Sequence, residues 1–220
     1  MSDRPIIFSA PMVRALLEGR KTQTRRILKP QPNGDVIHYG LADDKGAYWT
    51  DSCWESRRLP IWAGDRLWVR ENFSVHPDTV ARTDIFYPAD SAYIEYPTDD
   101  ARHEWCERMW NDDGSKHPSI HMPRWASRLT LTVTDVRVQR LQEIDDADAR
   151  AEGAGLYVPG HGFITEDDLK CDPGYSNFLA PRRGFEAIWA EINGPDAWGA
   201  NPWIAAYTFM VERRNIDSAA

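Results

Sequence analysis

Apolar and polar residues change their period several times along the chain, and each change marks an element. Ile6-Ile7-Phe8 is a short apolar run that reads as a strand. Pro11 then opens a stretch with Met12, Ala15, Leu16 and Gly19 at helical spacing, which predicts a helix over 11–19. Gly19 suits the left-handed position just past a helix C-terminus, where a residue without Cβ carries no steric penalty. Thr22, Thr24 and Arg26 next alternate with Lys21, Gln23 and Arg25, the period of a polar strand over 22–28 that Pro30 and Pro32 end. Gly64-Asp65 is a tight turn before a strand over 66–71. The stretch 127–138 alternates through most of its length and predicts a long strand with one buried face. A short acidic helix over 145–152 is ended by Gly153. A second amphipathic helix, 183–192, carries Phe185, Ile188, Trp189 and Ile192 on one face, and an apolar strand over 203–212 follows.

Three stretches lack such periodicity. Residues 31–60 hold the turn dipeptides Asn33-Gly34 and Lys45-Gly46, with Tyr48-Trp49-Thr50 as a candidate hairpin strand. Residues 74–118 are rich in Asp, Pro and Tyr, with one strand expected near Ile85-Phe86-Tyr87 and a Trp-containing piece at 103–110. Residues 154–182 form a Gly/Pro-rich excursion too long for an ordinary connection, a candidate lid. These read as insertions in one domain spanning 1–220. Mixed strands with two or three helices predict an α+β fold built on a small mixed β-barrel, with long loop insertions.

Composition narrows the class. A hydrophobic content of 42% supports a core, and no run approaches the roughly 18 to 20 apolar residues needed to cross a bilayer. The N-terminus lacks the apolar centre of a signal peptide, and three widely spaced cysteines do not make a disulfide framework, so a cytoplasmic protein is expected. The net charge of −8 argues against long duplex DNA as a partner. Residues 1–32 nevertheless carry seven cations and two anions, a net of +5 that leaves −13 for the remainder. A basic mouth on an acidic body suits a small nucleoside or a short single-stranded RNA.

The densest chemistry lies in Gly19-Arg20-Lys21-Thr22-Gln23-Thr24-Arg25-Arg26. A lysine that loses its proton can accept one from a neighbouring hydroxyl, and adjacent arginines can hold an anion or a polarised carbonyl. Taken alone, the stretch reads first as a solvated basic strand.

Following an apolar helix that opens at Ala10-Pro11, this motif resembles the signature of the ASCH family, small barrels similar to PUA domains and associated with RNA and modified nucleosides. Gly64-Asp65-Arg66-Leu67-Trp68-Val69 and Ala147-Asp148-Ala149-Arg150-Ala151-Glu152-Gly153 resemble two further elements of that family, in the same order. Some families similar to ASCH hydrolyse the amide of N4-acylated cytidines with a Lys, a Thr three residues on, and a distant Glu. The resemblance places Lys21, Thr24 and Glu152 in those roles as base, nucleophile and acid. Arg20, Arg26, Arg124 and Trp125 are then candidate substrate contacts, Trp125 by stacking, and Glu71 an alternative acid. Such hydrolases need no cofactor. Three residues apart in a regular strand, Lys21 and Thr24 meet only if the chain turns between them.

His103, Cys106, His117 and His121 have some of the spacing of a zinc site, but the mixed first pair and Pro118 make it irregular, and no metal is expected. Two functions follow: an amidohydrolase deacylating N4-acylated cytidine or a related modified pyrimidine nucleoside, or an RNA-binding PUA-like module, in a subsidiary version a ribonuclease, that grips single-stranded or modified RNA.

Overall fold

The strand period around Gln23 and the apolar run at Trp203 meet as neighbours. In the computed structural model, β2 (Gln23–Ile27) pairs antiparallel with β13 (Trp203–Glu212), Thr24 opposite Tyr207 and Arg25 opposite Ala206. The structure describes residues 2–42, 46–77, 82–97, 100–110, 116–154, 157–158, 162–163 and 181–218. Its elements in chain order begin with β1 (Asp3–Ile7), α1 (Ala10–Leu17), β2, β3 (Val36–Ala42), β4 (Gly46–Asp51) and β5 (Ser56–Arg58). There follow β6 (Arg66–Arg70), β7 (Ser74–Pro77), β8 (Arg82–Tyr87), β9 (Ala92–Pro97), α2 (Asp100–Met109) and β10 (Thr130–Arg140). The chain continues through α3 (Asp146–Ala151), β11 (Tyr157–Val158), β12 (Gly162–Phe163), α4 (Pro181–Asn193) and β13. This is a mixed α+β protein. Its largest sheet has the strand order β1-β6-β10-β13-β2, with β1 parallel to β6, and two further three-stranded sheets are β3-β4-β5 and β7-β8-β9.

The chain divides into two compact units, each assembled from separated segments. The first holds Glu18–Asp65 and Thr132–Met210. Here the apolar face of α4 places Phe185 and Trp189 in a core with Leu141, Ile144, Ala149, Ile204 and Ala206. Ile192, expected on that same face, is exposed at the last turn of the helix. β13 is buried on both faces through most of its length, which is why its sequence is an unbroken apolar run rather than an alternation. The excursion 31–60 forms the antiparallel sheet β3-β4-β5, with Tyr48-Trp49-Thr50 in its central strand.

The second unit holds Ser2–Leu17, Arg66–Leu131 and Val211–Ala220. Its stretch 74–118 contains more structure than its composition predicts: β7, β8 and β9 form an antiparallel meander where one strand was expected. Phe73, Val75, Ile85, Tyr87, Cys106, Met122 and Ala126 make its core. Polar residues alternate with these apolar ones, so Asp- and Pro-rich composition masked a half-buried sheet. Most of the candidate lid 154–182 lies outside the described residues. Among the described residues no helix is long and apolar enough to cross a membrane, which says nothing of membrane β-barrels.

Gly19 adopts φ +73, and a Cβ there would meet nothing within 4 Å. Gly19→Ala is therefore expected to act through backbone strain alone, costing roughly 1–2 kcal/mol of unfolding free energy in urea titration; an unchanged midpoint would contradict the assignment.

Candidate active site

Alternation along the basic segment and helical spacing in the acidic one bring five side chains, four of them charged, together in the first unit. Lys21, Gln23 and Arg25 are two residues apart and share a side of their strand. Asp148 and Glu152 are four apart and share a side of α3 and its C-terminal residue. The two segments are tied through the backbone: Lys21 forms an isolated antiparallel bridge with Glu152, and Thr22 N–H donates to the Ala151 carbonyl at 2.8 Å. Asp145 caps α3, its carboxylate accepting from the Asp148 N–H.

Lys21 is fully buried. Its Nζ donates to Glu152 Oε2 at 2.7 Å and to the Glu152 carbonyl at 3.0 Å. The other carboxylate oxygen, Oε1, accepts from Arg25 Nη1 at 3.1 Å. Arg25 is itself buried, and its Nη2 donates to Asp148 Oδ2. Asp148 also accepts from Arg137 Nη2 at 2.7 Å and from Gln23 Nε2 at 3.2 Å. Phe185 packs beneath the Arg25 guanidinium, 5.6 Å from ring centre to Cζ.

Burial lowers the Lys21 pKa from the ordinary lysine value of 10.5. Glu152 works against that shift, whereas the charges of Arg26 and Arg25 add to it. Burial tends to raise Asp148, but the Arg137 hydrogen bond and the charges of Arg25 and Arg137 outweigh it and hold the carboxyl low. The result is a desolvated amine against a carboxylate, in a cluster with more cations than anions.

The remaining expected residues fall as follows. Thr24 is buried on β2 between Gln23 and Arg25, and alternation carries its side chain to the opposite side of the strand from theirs. Its hydroxyl enters none of the hydrogen bonds that join Lys21, Glu152, Arg25 and Asp148. Arg20 is exposed, with Nε donating to Glu18 Oε2 at 2.6 Å and Nη1 reaching the Gly153 carbonyl at 3.5 Å. Arg26 is half-buried, and burial lowers its pKa against the opposing pull of Glu152 and Tyr207. Glu71, Arg124 and Trp125 belong to the second unit and have partners there. Glu71 is buried and bidentate with Arg128, whose Nη1 also donates to Asp90. Arg124 pairs with Asp3 and Asp217, and Trp125 meets Trp105 edge to face at 5.3 Å.

Sequence reasoning passed over Arg25, Gln23, Asp148 and Arg137. The readable signal was the pairing of an i, i+2, i+4 series with an acidic i, i+4 pair. Of the zinc candidates, the His103 side chain lies outside the described residues, Cys106 is buried in the second core, and the His117 ring packs on Phe73 at 5.2 Å. Among the described residues no group of three or more His, Cys, Asp or Glu could hold a metal ion. No protein-family model, curated protein or solved structure matches the chain.

The Glu71–Arg128 pair offers a stability test. Burial raises the Glu71 pKa despite Arg128, so its charged form depends on that partner. Arg128→Met should cost about 3–5 kcal/mol near neutral pH by stranding a buried carboxylate. A carboxyl with a raised folded-state value is best accommodated when protonated, so the deficit should shrink as pH falls through that value. Urea titrations at neutral and acidic pH measure both, and Arg128→Met with Glu71→Met should recover much of the loss.

Proposed function

We propose that the chain is an amidohydrolase that removes the acyl group from an N4-acylated cytidine or a related N-acylated pyrimidine nucleoside. The observation that carries this reading is the buried Lys21 Nζ on the Glu152 carboxylate at 2.7 Å, reached from segments more than a hundred residues apart. Moving one proton from Nζ to Oε2 turns the ion pair into a neutral amine beside a carboxylic acid. Those are the two protonation states that amide cleavage requires, and desolvation favours the neutral pair.

In the proposed reaction Thr24 Oγ1 attacks the acyl carbon while the Lys21 amine takes the hydroxyl proton. The tetrahedral adduct then collapses, the carbon–nitrogen bond breaks, and the departing exocyclic amine takes the Glu152 proton. Cytidine leaves, an acyl-threonine ester remains, and the pair is again ammonium and carboxylate. Glu152 next takes a proton from water as the water adds to the ester, and Lys21 returns one to Thr24 as the free acid departs. Arg20 and Arg26 supply positive charge at the nucleoside.

The family reading is part of the same proposal: an ASCH protein with a PUA-like small barrel, in which β2, β6, β10 and β13 are the barrel strands. One observation favours the second function, binding of a modified base or single-stranded RNA without reaction: alternation turns Thr24 to the other side of the strand from Gln23 and Arg25.

A deacylation assay separates the two. The chain should release cytidine from N4-acetylcytidine without added metal, and activity should fall as pH rises through the depressed Lys21 range, because the pair then loses the proton that Glu152 must give to the leaving amine. Thr24→Ala and Lys21→Arg should each lose about a thousandfold or more in kcat, the arginine because a guanidinium stays protonated. Glu152→Gln should lose about a hundredfold. Wild-type rates in Thr24→Ala and Lys21→Arg would exclude the mechanism, and a folded wild type inert on N4-acylcytidines but retaining single-stranded RNA would favour the binding module.

A further inference from the structure

The group around Lys21 continues away from it as a chain of alternating charges. Arg137 Nη2 meets Asp148 Oδ1 at 2.7 Å, and Asp148 Oδ2 meets Arg25 Nη2 at 2.5 Å. Arg25 Nη1 meets Glu152 Oε1 at 3.1 Å, and Glu152 Oε2 meets Lys21 Nζ at 2.7 Å. Side-chain exposure falls from 36% at Arg137 through 13% at Asp148 to 0% at Arg25 and Lys21. The chain therefore runs from the surface to a fully buried amine.

Each Glu152 oxygen has its own charged donor, so the carboxylate cannot rotate about its last bond without breaking both contacts. Arg25 is the fork that makes this possible: its Nη1 donates to Glu152 and to Gln23 Oε1, its Nη2 donates to Asp148, and among the described residues its buried Nε has no acceptor. A planar guanidinium can span two carboxylates in fixed geometry, which an ammonium cannot. Asp148 in turn is held by Arg137 and Gln23, and by the N-terminal cap of α3 through its N–H.

We propose that Arg25 and Asp148 are positioning residues for the Lys21–Glu152 pair, Arg25 fixing one oxygen of the Glu152 carboxylate so that the other stays on Lys21 Nζ, and Asp148 fixing Arg25. This rests on the reading of Lys21 and Glu152 as the proton-transferring pair, and extends it to two residues that touch neither Nζ nor the reacting atoms. Asp148 also offsets part of the Arg25 charge felt by Lys21. The charged groups acting on Lys21 are Glu152 at the end of α3, which favours the ammonium, and Arg25 and Arg26 of β2, which disfavour it.

Two readouts test the assignment. Asp148→Asn and Arg25→Lys should each lower kcat for N4-acetylcytidine by about ten- to a hundredfold with little change in KM, the size expected when a supporting residue loosens a reacting one. Independently of activity, the Lys21 side chain can be titrated by NMR in protein carrying isotope-labelled lysine. Asp148→Asn should shift the Lys21 midpoint downward by roughly half a pH unit, since an anion is lost, and Arg25→Met should shift it upward, since a cation is lost. Opposite shifts in two folded variants would not arise from general loosening. Should Asp148→Asn fail to fold, Arg25→Lys and Arg25→Met decide the matter. The assignment is overturned if folded variants keep wild-type kcat, or if the Lys21 midpoint moves in neither. A wild type inactive on every N4-acylcytidine would defeat the proposed function, while the titration would still decide the positioning roles.

Discussion

A fully buried ammonium is the constraint on which the first unit depends. Desolvating Lys21 is unfavourable by several kcal/mol unless an anion is delivered to it, and the anion comes from the far end of α3. That helix has only six residues, too few to be stable in isolation. Its position is set by what it is tied to: the Lys21–Glu152 bridge, the Thr22 to Ala151 hydrogen bond, and Ala149 packed with Phe185 and Ile204 in the core. The ion pair and the local fold thus require each other. Lys21 cannot be buried without Glu152, and Glu152 is presented by a helix end that the Lys21 strand holds in place.

Such a cluster is a poor way to gain stability. Apolar side chains of matching volume commonly serve as well or better in place of a buried ion pair. The rest of the unit follows that economy, since α4, β13 and the Leu141–Ile144 turn fill their core with Phe, Trp, Ile, Leu and Ala. Against that background, among the described residues the unit buries an amine, a guanidinium and a carboxylate together at Lys21, Arg25 and Glu152. The second unit supplies the contrast. Arg128 is matched to Glu71 and Asp90 and lies over the Tyr87 ring at 4.2 Å, a closed arrangement in which every carboxylate faces the same cation. The Lys21 cluster is different in kind, because its amine and its guanidinium share one carboxylate, one on each oxygen.

Much of this was legible in the sequence, for identifiable reasons. The α+β class and the strands near 23, 66, 130 and 203 follow from hydrophobic period, and the end of α1 follows from Gly19. The pairing of Lys21 with Glu152 could not come from period, because 131 residues separate them; it came from resemblance to a family. The meander β7-β8-β9 was hidden because apolar residues in it are interrupted by polar ones and its stretch is rich in Asp and Pro. The roles of Arg25 and Asp148 were hidden differently. Each lies beside a more conspicuous residue, and only the meeting of β2 with α3 reveals that Arg25 hydrogen-bonds both Asp148 and Glu152.

The contact between Lys21 and Glu152 also bears on the proposed reaction. Lys21 Nζ and Glu152 Oε2 are 2.7 Å apart, close enough for one proton to pass directly between them. In the proposed reaction base and acid arise in one event: the proton that leaves Nζ to expose the lone pair is the proton that Oε2 later gives to the leaving amine. An enzyme built this way needs no neutral lysine and no protonated glutamate prepared separately against water, only a site dry enough for the neutral pair to be accessible. Burial of both groups provides that dryness, and in the proposed reaction the Arg25 contact on Oε1 leaves Oε2 to carry the proton. The expected consequence is non-additivity. Once either member is replaced the other has no proton to exchange, so Lys21→Arg with Glu152→Gln together should cost little more in kcat than the worse of the two alone.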